Sequence, residues 1–463
     1  MTVLLDKRRD ITLETVRRVA WEGEPVRLSE DALARIAAAR AAFEELLEQD
    51  DVSIYGVTTG YGDRANVRLE REERLEQARR GVAPLQVAFG EPLPERVARA
   101  VVLARLASIV EGHAAVRPML AEAVARMLDG ALPPVPAHAH GGAGEIIPLG
   151  HLFGGLTGVE FAEKESLALV NGSPCAAALV ADAALAARAR LELAEEVFAL
   201  SAETIRAPYD AYDVALEDLW GDEHEAAALR GLRELLRGGD PARRPYQAPV
   251  SYRILPRVLG QARRAMAEAE RAAAVSLSSV ADNPVFVPPG AGRTEGLVLS
   301  NGSYHNSQAP AALDGLAGSY ADLCQLVERH VDALLTDSTV GGVLERVPVD
   351  MVTAGFAEEA RHRAQRTALA PAGSGQNDVG SPSFLAWERE EAAAHCLVRS
   401  LAVLAALASL ALERAGRPAP PPLADLLGMT RRHVPPRSFP SGPGDGIGRL
   451  ADAFIARAGF PTD

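Results

Sequence analysis

Across residues 10–50 apolar side chains recur at three- and four-residue spacing. Leu33, Ile36, Ala39, Phe43 and Leu46 are the clearest series and predict an amphipathic helix. Ser29 precedes it as an N-cap, and Glu30 and Asp31 place negative charge where a helix N-terminus favours it. The periodicity then stops: residues 54–62, IYGVTTGYG, are irregular and punctuated by glycine. Helical patterns at 71–80, 94–112 and 118–128 lead to a glycine-rich stretch at 133–151, PPVPAHAHGGAGEIIPLGH. Beyond it 152–160 reads as helix, and 166–170 as a short apolar lead-in to Asn171-Gly172. From residue 176 alanine and leucine dominate, with a period of about 3.6 over 176–205, 223–237, 256–280, 309–335, 352–370 and 385–415.

No segment alternates as the strand of a substantial sheet would, so the predicted fold is all-α, with long helices forming a bundle core. Proline and glycine at 238–241, 288–292 and 371–382 mark loops between these helices, and 418–422 and 435–448 read as surface connectors. The expected division is a loop-rich N-terminal region, 1–185, carrying the active-site loops, and a long-helix region, 186–463, with a short C-terminal tail.

Composition narrows the class. In 463 residues, 48% hydrophobic and 24% charged content suits a globular chain and argues against disorder. A formal charge of −14 argues against nucleic-acid binding, which draws its affinity from basic groups meeting phosphates. Cys175, Cys324 and Cys396 are widely spaced and odd in number, so neither a disulfide framework nor a CxxC metal site is expected. The N-terminus MTVLLDKRRD lacks the apolar core of a signal peptide, and the longest apolar run, 401–412, is too short to cross a bilayer. The expectation is a cytoplasmic protein without a membrane anchor.

Six loop segments carry more polar groups than linkers need: 55–62, 136–151, 171–172, 246–253, 301–308 and 375–378. Taken in order, ITLETVRRVAWEGEPVRLS, IYGVTTGYG, LALVNG, YQAPVSYRILPRVLG, SSVADNP, GSYHNSQ and GQNDV resemble the aromatic amino acid lyase family, the histidine and phenylalanine ammonia-lyases and aminomutases. The resemblance covers most of the chain. It implies a helical fold, a homotetramer whose active sites draw loops from several subunits, and a small carboxylate-bearing substrate.

It also implies an electrophile made from the backbone: an Ala-Ser-Gly triplet cyclises and loses water to give a methylidene-imidazolone. The family pattern xxGSVGASGDLAPLAH meets AHAHGGAGEIIPLGH here, one residue shorter after Pro136. Anchored on Pro148, Leu149 and His151, the triplet falls on Gly142, Ala143 and Gly144; anchored on Pro136, Gly142 takes the serine's place. Either register lacks the hydroxyl, and alanine has no β-leaving group. No cofactor is therefore expected.

For the remaining site the resemblance implies Tyr55 as catalytic base, Asn171 at the substrate's amino-acid end and Arg253 as the fork that holds its carboxylate. Read as isolated residues, these are equally a packed tyrosine, a turn former and a surface ion-pair partner. Gln247 is retained, whereas Val250 replaces a tyrosine. Tyr304 and His305 correspond to a Phe-His pair; Gln376 is retained, and Asn377 stands where the histidine enzymes carry glutamate. Leu85 lies near the position of a histidine. His138 and His140 form an HxH near Glu145 and His151, but zinc needs three or four convergent ligands, and no metal is expected.

The expected activity is elimination or isomerisation of an amino-acid-like molecule without the electrophile, Tyr55 acting as base. It requires a β-proton acidified by another substrate group, or a leaving group better than ammonia. The alternative is a catalytically silent homologue that binds a small molecule or assembles with a true lyase.

Overall fold

Helix α1, Glu30–Leu47, starts where the sequence places it: the Ser29 hydroxyl accepts a hydrogen bond from Ala32 N at 3.0 Å. This computed structural model describes residues 1–457 apart from 50–51, 139, 291, 337–346, 374 and 376. Helices α2, Arg71–Arg79, α3, Glu95–Ile109, and α4, Pro118–Arg126, follow, and α3 is buried over almost its whole length. Then come α5, Ile146–Phe153, and the short α6, Glu165–Val170.

The core is built by α7, Pro174–Thr204, α8, Glu223–Leu235, α9, Leu255–Leu277, α10, Gln308–Thr336, α11, Val349–Arg363, and α12, Ser383–Arg414. Helix α7 packs against α3, α9, α10 and α12, while α11 lies against α10 and α12. Alanine allows this: without long side chains between them, backbones come close and the seams close-pack. Helices α13, Ala424–His433, and α14, Gly444–Arg457, cover the end of the bundle.

Strands are few and short. β1, Val3–Leu5, pairs in parallel with β2, Val26–Leu28, with Val3 opposite Val26. β3, Val285–Val287, is antiparallel to β4, Leu297–Leu299, and β5, Ala370–Pro371, to β6, Val379–Gly380.

Several expectations change. Residues 152–160 are not a helix: α5 begins earlier, at Ile146, and ends at Phe153 before the pair Gly154-Gly155. Residues 166–170 are helical and form most of α6. Helix α11 stops at Arg363, because Ala370 is drawn into pairing with Gly380. The boundary at 185–186 falls inside α7, and one buried apolar cluster takes side chains from both sides of it. Two stretches, Glu165–Thr204 and Ser383–Arg414, have the length and composition of a membrane span, contrary to the reading of the apolar runs; nearly all of the most apolar part of each is buried inside the bundle.

Candidate active site

The loop after α1 turns back on itself. Thr58 Oγ1 accepts from Ile54 N at 2.6 Å, and Ile54 O accepts from Val57 N and Thr58 N. Gly56 has φ +68°, a left-handed conformation that favours glycine, and the loop there packs against the Leu167 side chain of α6. Gln77, on α2, donates to Gly56 O at 2.9 Å. So held, Tyr55 lies in the wall of a cavity of about 320 Å³, and its hydroxyl oxygen accepts from Gly62 N at 3.1 Å. Tyr61, Leu85, Ile146, Asn171 and Asn377 line the same cavity.

Asn171 ends α6 and is buried. Beside it Gly172 has φ +128°, and a Cβ would stand 1.7 Å from Ala281 O, which fixes glycine at this position. Beneath lies a set of buried charges. Arg105 is fully buried and donates through Nη1 to Ala168 O at 3.0 Å. Lys164, in a left-handed conformation at φ +73°, places Nζ 2.6 Å from Asp282 Oδ2, both side chains shut off from solvent. Burial pulls the Lys164 amine down and pushes the Asp282 carboxyl up, and each charge opposes the shift of the other.

The glycine-rich loop sits at the N-terminus of α7. Buried Glu145 accepts from Cys175 N at 2.6 Å and Ala176 N at 2.7 Å, two donors with no intrahelical acceptor. Burial pushes its carboxyl up to about 7, against the pull of those N–H groups. Gly142 O accepts from Ser381 N at 2.9 Å, and Gly142 has φ +140°. A Cβ on Gly144 would stand 3.5 Å from Tyr304 Cβ, so Tyr304 lies against the loop. His305 is placed by Gly380 O, 3.2 Å from its Nε2. Ser173 Oγ donates to Ser303 O at 2.8 Å, tying loop 301–308 to the start of α7.

His138, His140 and His151 do not converge. His138 Nδ1 is 3.2 Å from Glu388 Oε2, His140 Nε2 is 2.5 Å from Pro136 O, and His151 Nε2 accepts from Ala88 N at 3.1 Å. Among the described residues no group of three His, Cys, Asp or Glu side chains is placed to hold a metal.

Gln247 and Arg253 lie elsewhere. They line a second cavity of about 330 Å³ with Trp220 and Tyr246, both are exposed, and Arg253 Nε donates to Ala248 O at 3.1 Å. Within one chain the expected set is therefore divided. Tyr55, Asn171 and Asn377 share one cavity, Tyr304 and His305 gather at the glycine-rich loop beside it, and Gln247 and Arg253 are apart. Gln376 is outside the described residues.

The sequence matches that of the aromatic amino acid lyases over residues 11–162 and 154–431. The chain belongs to the aromatic amino acid lyase family. It is 32% identical to the histidine ammonia-lyase of Deinococcus radiodurans over 383 residues, 75% of this chain and 71% of that one. With the histidine ammonia-lyase of Geobacillus thermodenitrificans it shares 28% over 364 residues, 72% and 71% of the two chains. Its structure is similar to that of a tyrosine aminomutase from Streptomyces globisporus, with a TM-score of 0.87 at 25% identity over 99% of this chain and 98% of that one. In fold it also matches an ergothioneine-degrading enzyme from Treponema denticola, TM-score 0.89 at 17% identity, over 100% of both chains. This is thus an ammonia-lyase-type enzyme of amino-acid-like substrates.

Three polar groups around this cavity escape the sequence reading. Arg74 and Glu163 line it, and Lys164 is buried beside it. Arg74 stands three residues before Gln77 on α2, the spacing of one helix face, which was the available signal. The run Glu163-Lys164-Glu165 reads as a solvated charge cluster and gives none.

Proposed function

We propose that the Tyr55 cavity catalyses elimination or isomerisation on a carboxylate-bearing, amino-acid-like molecule without a methylidene-imidazolone, in a homotetramer. The observation that supports it is the Tyr55 hydroxyl at the cavity wall, accepting from Gly62 N with buried Asn171 in the same cavity. Tyr55 acts from its phenolate form, to which Gly62 N donates; the proton leaving the substrate β-carbon passes to that oxygen and leaves the neutral phenol. The electron pair of the C–H bond forms the new double bond as the leaving group departs with its own. With no electrophile to draw on, the substrate itself supplies the acidity of that proton or the quality of the leaving group. Arg253, exposed in the single chain, binds the carboxylate of a substrate held in a neighbouring subunit.

The residues of the loop do not fit the electrophile. Ala143 has no hydroxyl to lose, and the positive φ of Gly142 disfavours a serine in the alternative register. Intact mass equal to the unmodified sequence is expected, whereas a loss of two waters mapped to Gly142–Gly144 would refute this part.

The silent-homologue reading draws on Val250, which removes a hydroxyl from the expected set and is 57% exposed. Tyr55→Phe separates the two. In a broad metabolite screen by mass spectrometry, the variant is expected to lose about 10²-fold or more of turnover while its substrate still binds, the scale of a lost general base. A change in affinity alone, with no turnover in either protein, would favour the silent reading.

A further inference from the structure

We propose that Arg74 and Glu163 select the far end of the substrate, and that the end they select is a neutral group with an N–H beside a carbonyl, an amide or a ureide. This rests on the Tyr55 cavity being the substrate site and adds which side chains that site accepts.

Helix α6 gives the cavity two ends. Asn171 follows its last residue, Glu163 precedes its N-cap Lys164, and the helix between them, six residues at about 1.5 Å each, is roughly 9 Å long. An amino acid whose backbone lies near Asn171 and whose side chain runs along α6 brings its end group to Glu163. Arg74 meets Glu163 there, Nε to Oε1 at 3.2 Å, with the two side chains 16% and 18% exposed. The pair is poorly aligned: both of these atoms are closed off from solvent, yet neither makes a hydrogen bond. Among the described residues the terminal nitrogens of Arg74 and Oε2 of Glu163 have no partner, and both residues line the cavity.

Glu163 is held in place before any ligand arrives. Arg40 Nη1 donates to its carbonyl at 3.0 Å. The next residue, Lys164, takes the left-handed conformation and is anchored on Asp282. Glu165 accepts from Arg117 N, Nε and Nη2 at 2.8, 2.9 and 2.7 Å. A non-glycine left-handed residue locked on both sides is local strain maintained by its surroundings, as is common where a side chain must be aimed.

The chemistry of the end group follows from what the pair lacks. Its charges sum to zero, so a carboxylate end gains Arg74 and meets Glu163, and a cationic end does the reverse. A hydrocarbon end expels water and leaves both groups without a hydrogen bond, which a closed site penalises heavily. An amide or ureide satisfies both, its carbonyl accepting from Arg74 and its N–H donating to Glu163.

The test is calorimetric titration of the native assembly with L-glutamine, L-citrulline, L-glutamate, L-arginine and L-phenylalanine. One of the two neutral polar ligands is expected to bind at least about tenfold tighter than the other three, a gap typical of matched against unmatched buried polar groups. Arg74→Met and Glu163→Met should abolish that preference, and the near-isosteric Glu163→Gln, which keeps an acceptor, should retain most of it. Preference for L-phenylalanine or a charged end, or a preference that survives both methionine variants, overturns the inference. If Asn171→Leu weakens every ligand while end groups are not distinguished, the cavity is still the substrate site and only the selection by Arg74 and Glu163 fails. If no ligand binds, or binding ignores Asn171→Leu as well, both fail.

Discussion

Glu145 shows how one residue of the glycine-rich loop can matter without touching a substrate. Its folded carboxyl is pushed up to about 7 by burial, above the 4.5 of an unperturbed glutamate. The folded state therefore holds this proton more tightly than the unfolded one. The contribution to stability is full below about 4.5 and is lost as pH rises through about 7. Glu145→Gln cannot ionise, so its thermal midpoint should lose that slope between pH 4.5 and 7. Below about pH 4.5 its stability should be lower by about 1–3 kcal/mol, because one of the N–H donors of Cys175 and Ala176 loses its acceptor, and that gap should close as pH rises through about 7. A variant with the same slope as the parent would show that another group titrates. Tyr55 and Asn171, which line one cavity, were marked out in the sequence by IYGVTTGYG and LALVNG around them. Glu145 stood in the glycine-rich stretch, but its burial against the first turn of α7 was not legible there.

At the scale of elements, α6 and its flanking turn are fixed by the buried pair Lys164 and Asp282. Lys164→Met leaves the Asp282 carboxylate buried without its partner, a loss on the order of 3–5 kcal/mol. Lys164→Met with Asp282→Asn should recover a large part of it, since the uncompensated charge is then gone. Chemical denaturation of both variants measures this, and equal losses in the two would mean that the pair is not coupled. Helices were readable from the sequence wherever alanine and leucine kept their period. Helix α11 was drawn too long because the pairing of Ala370 with Gly380 is settled by a strand outside the window that sets the pattern. Lys164 was unreadable for a similar reason: its partner is 118 residues away.

For the whole molecule, the proposed function makes an oligomer part of the chemistry, because Arg253 and Tyr55 lie at different cavities of one chain. Tyr246 is 90% exposed and Val250 57%, so the segment that ends in Arg253 offers apolar surface to a neighbour. A homotetramer in sedimentation is expected. Arg253→Ala and Tyr55→Phe should each be inactive alone, each down by about 10²-fold or more. Dissociated and reassembled together they should regain activity, because some sites then pair an intact Tyr55 with an intact Arg253. No recovery on mixing would show that Arg253 does not complete a neighbour's Tyr55 site. The all-α fold and its family were legible from ordered motifs. That one chain separates Arg253 from Tyr55 was not, since motifs record order along the chain and not which copy supplies each wall.

The glycine-rich loop keeps its course by backbone bonds: Gly142 O to Ser381 N, and the Glu145 carboxylate to the start of α7. Gly141, Ala143 and Gly144 make none of these bonds. A Cβ on Gly141 meets nothing within 4 Å, and one on Gly144 makes ordinary contact with Tyr304. For an engineer this is a writable surface, where a thiol, an amine or an unnatural electrophile can be installed at 141, 143 or 144 on a scaffold that already holds its shape.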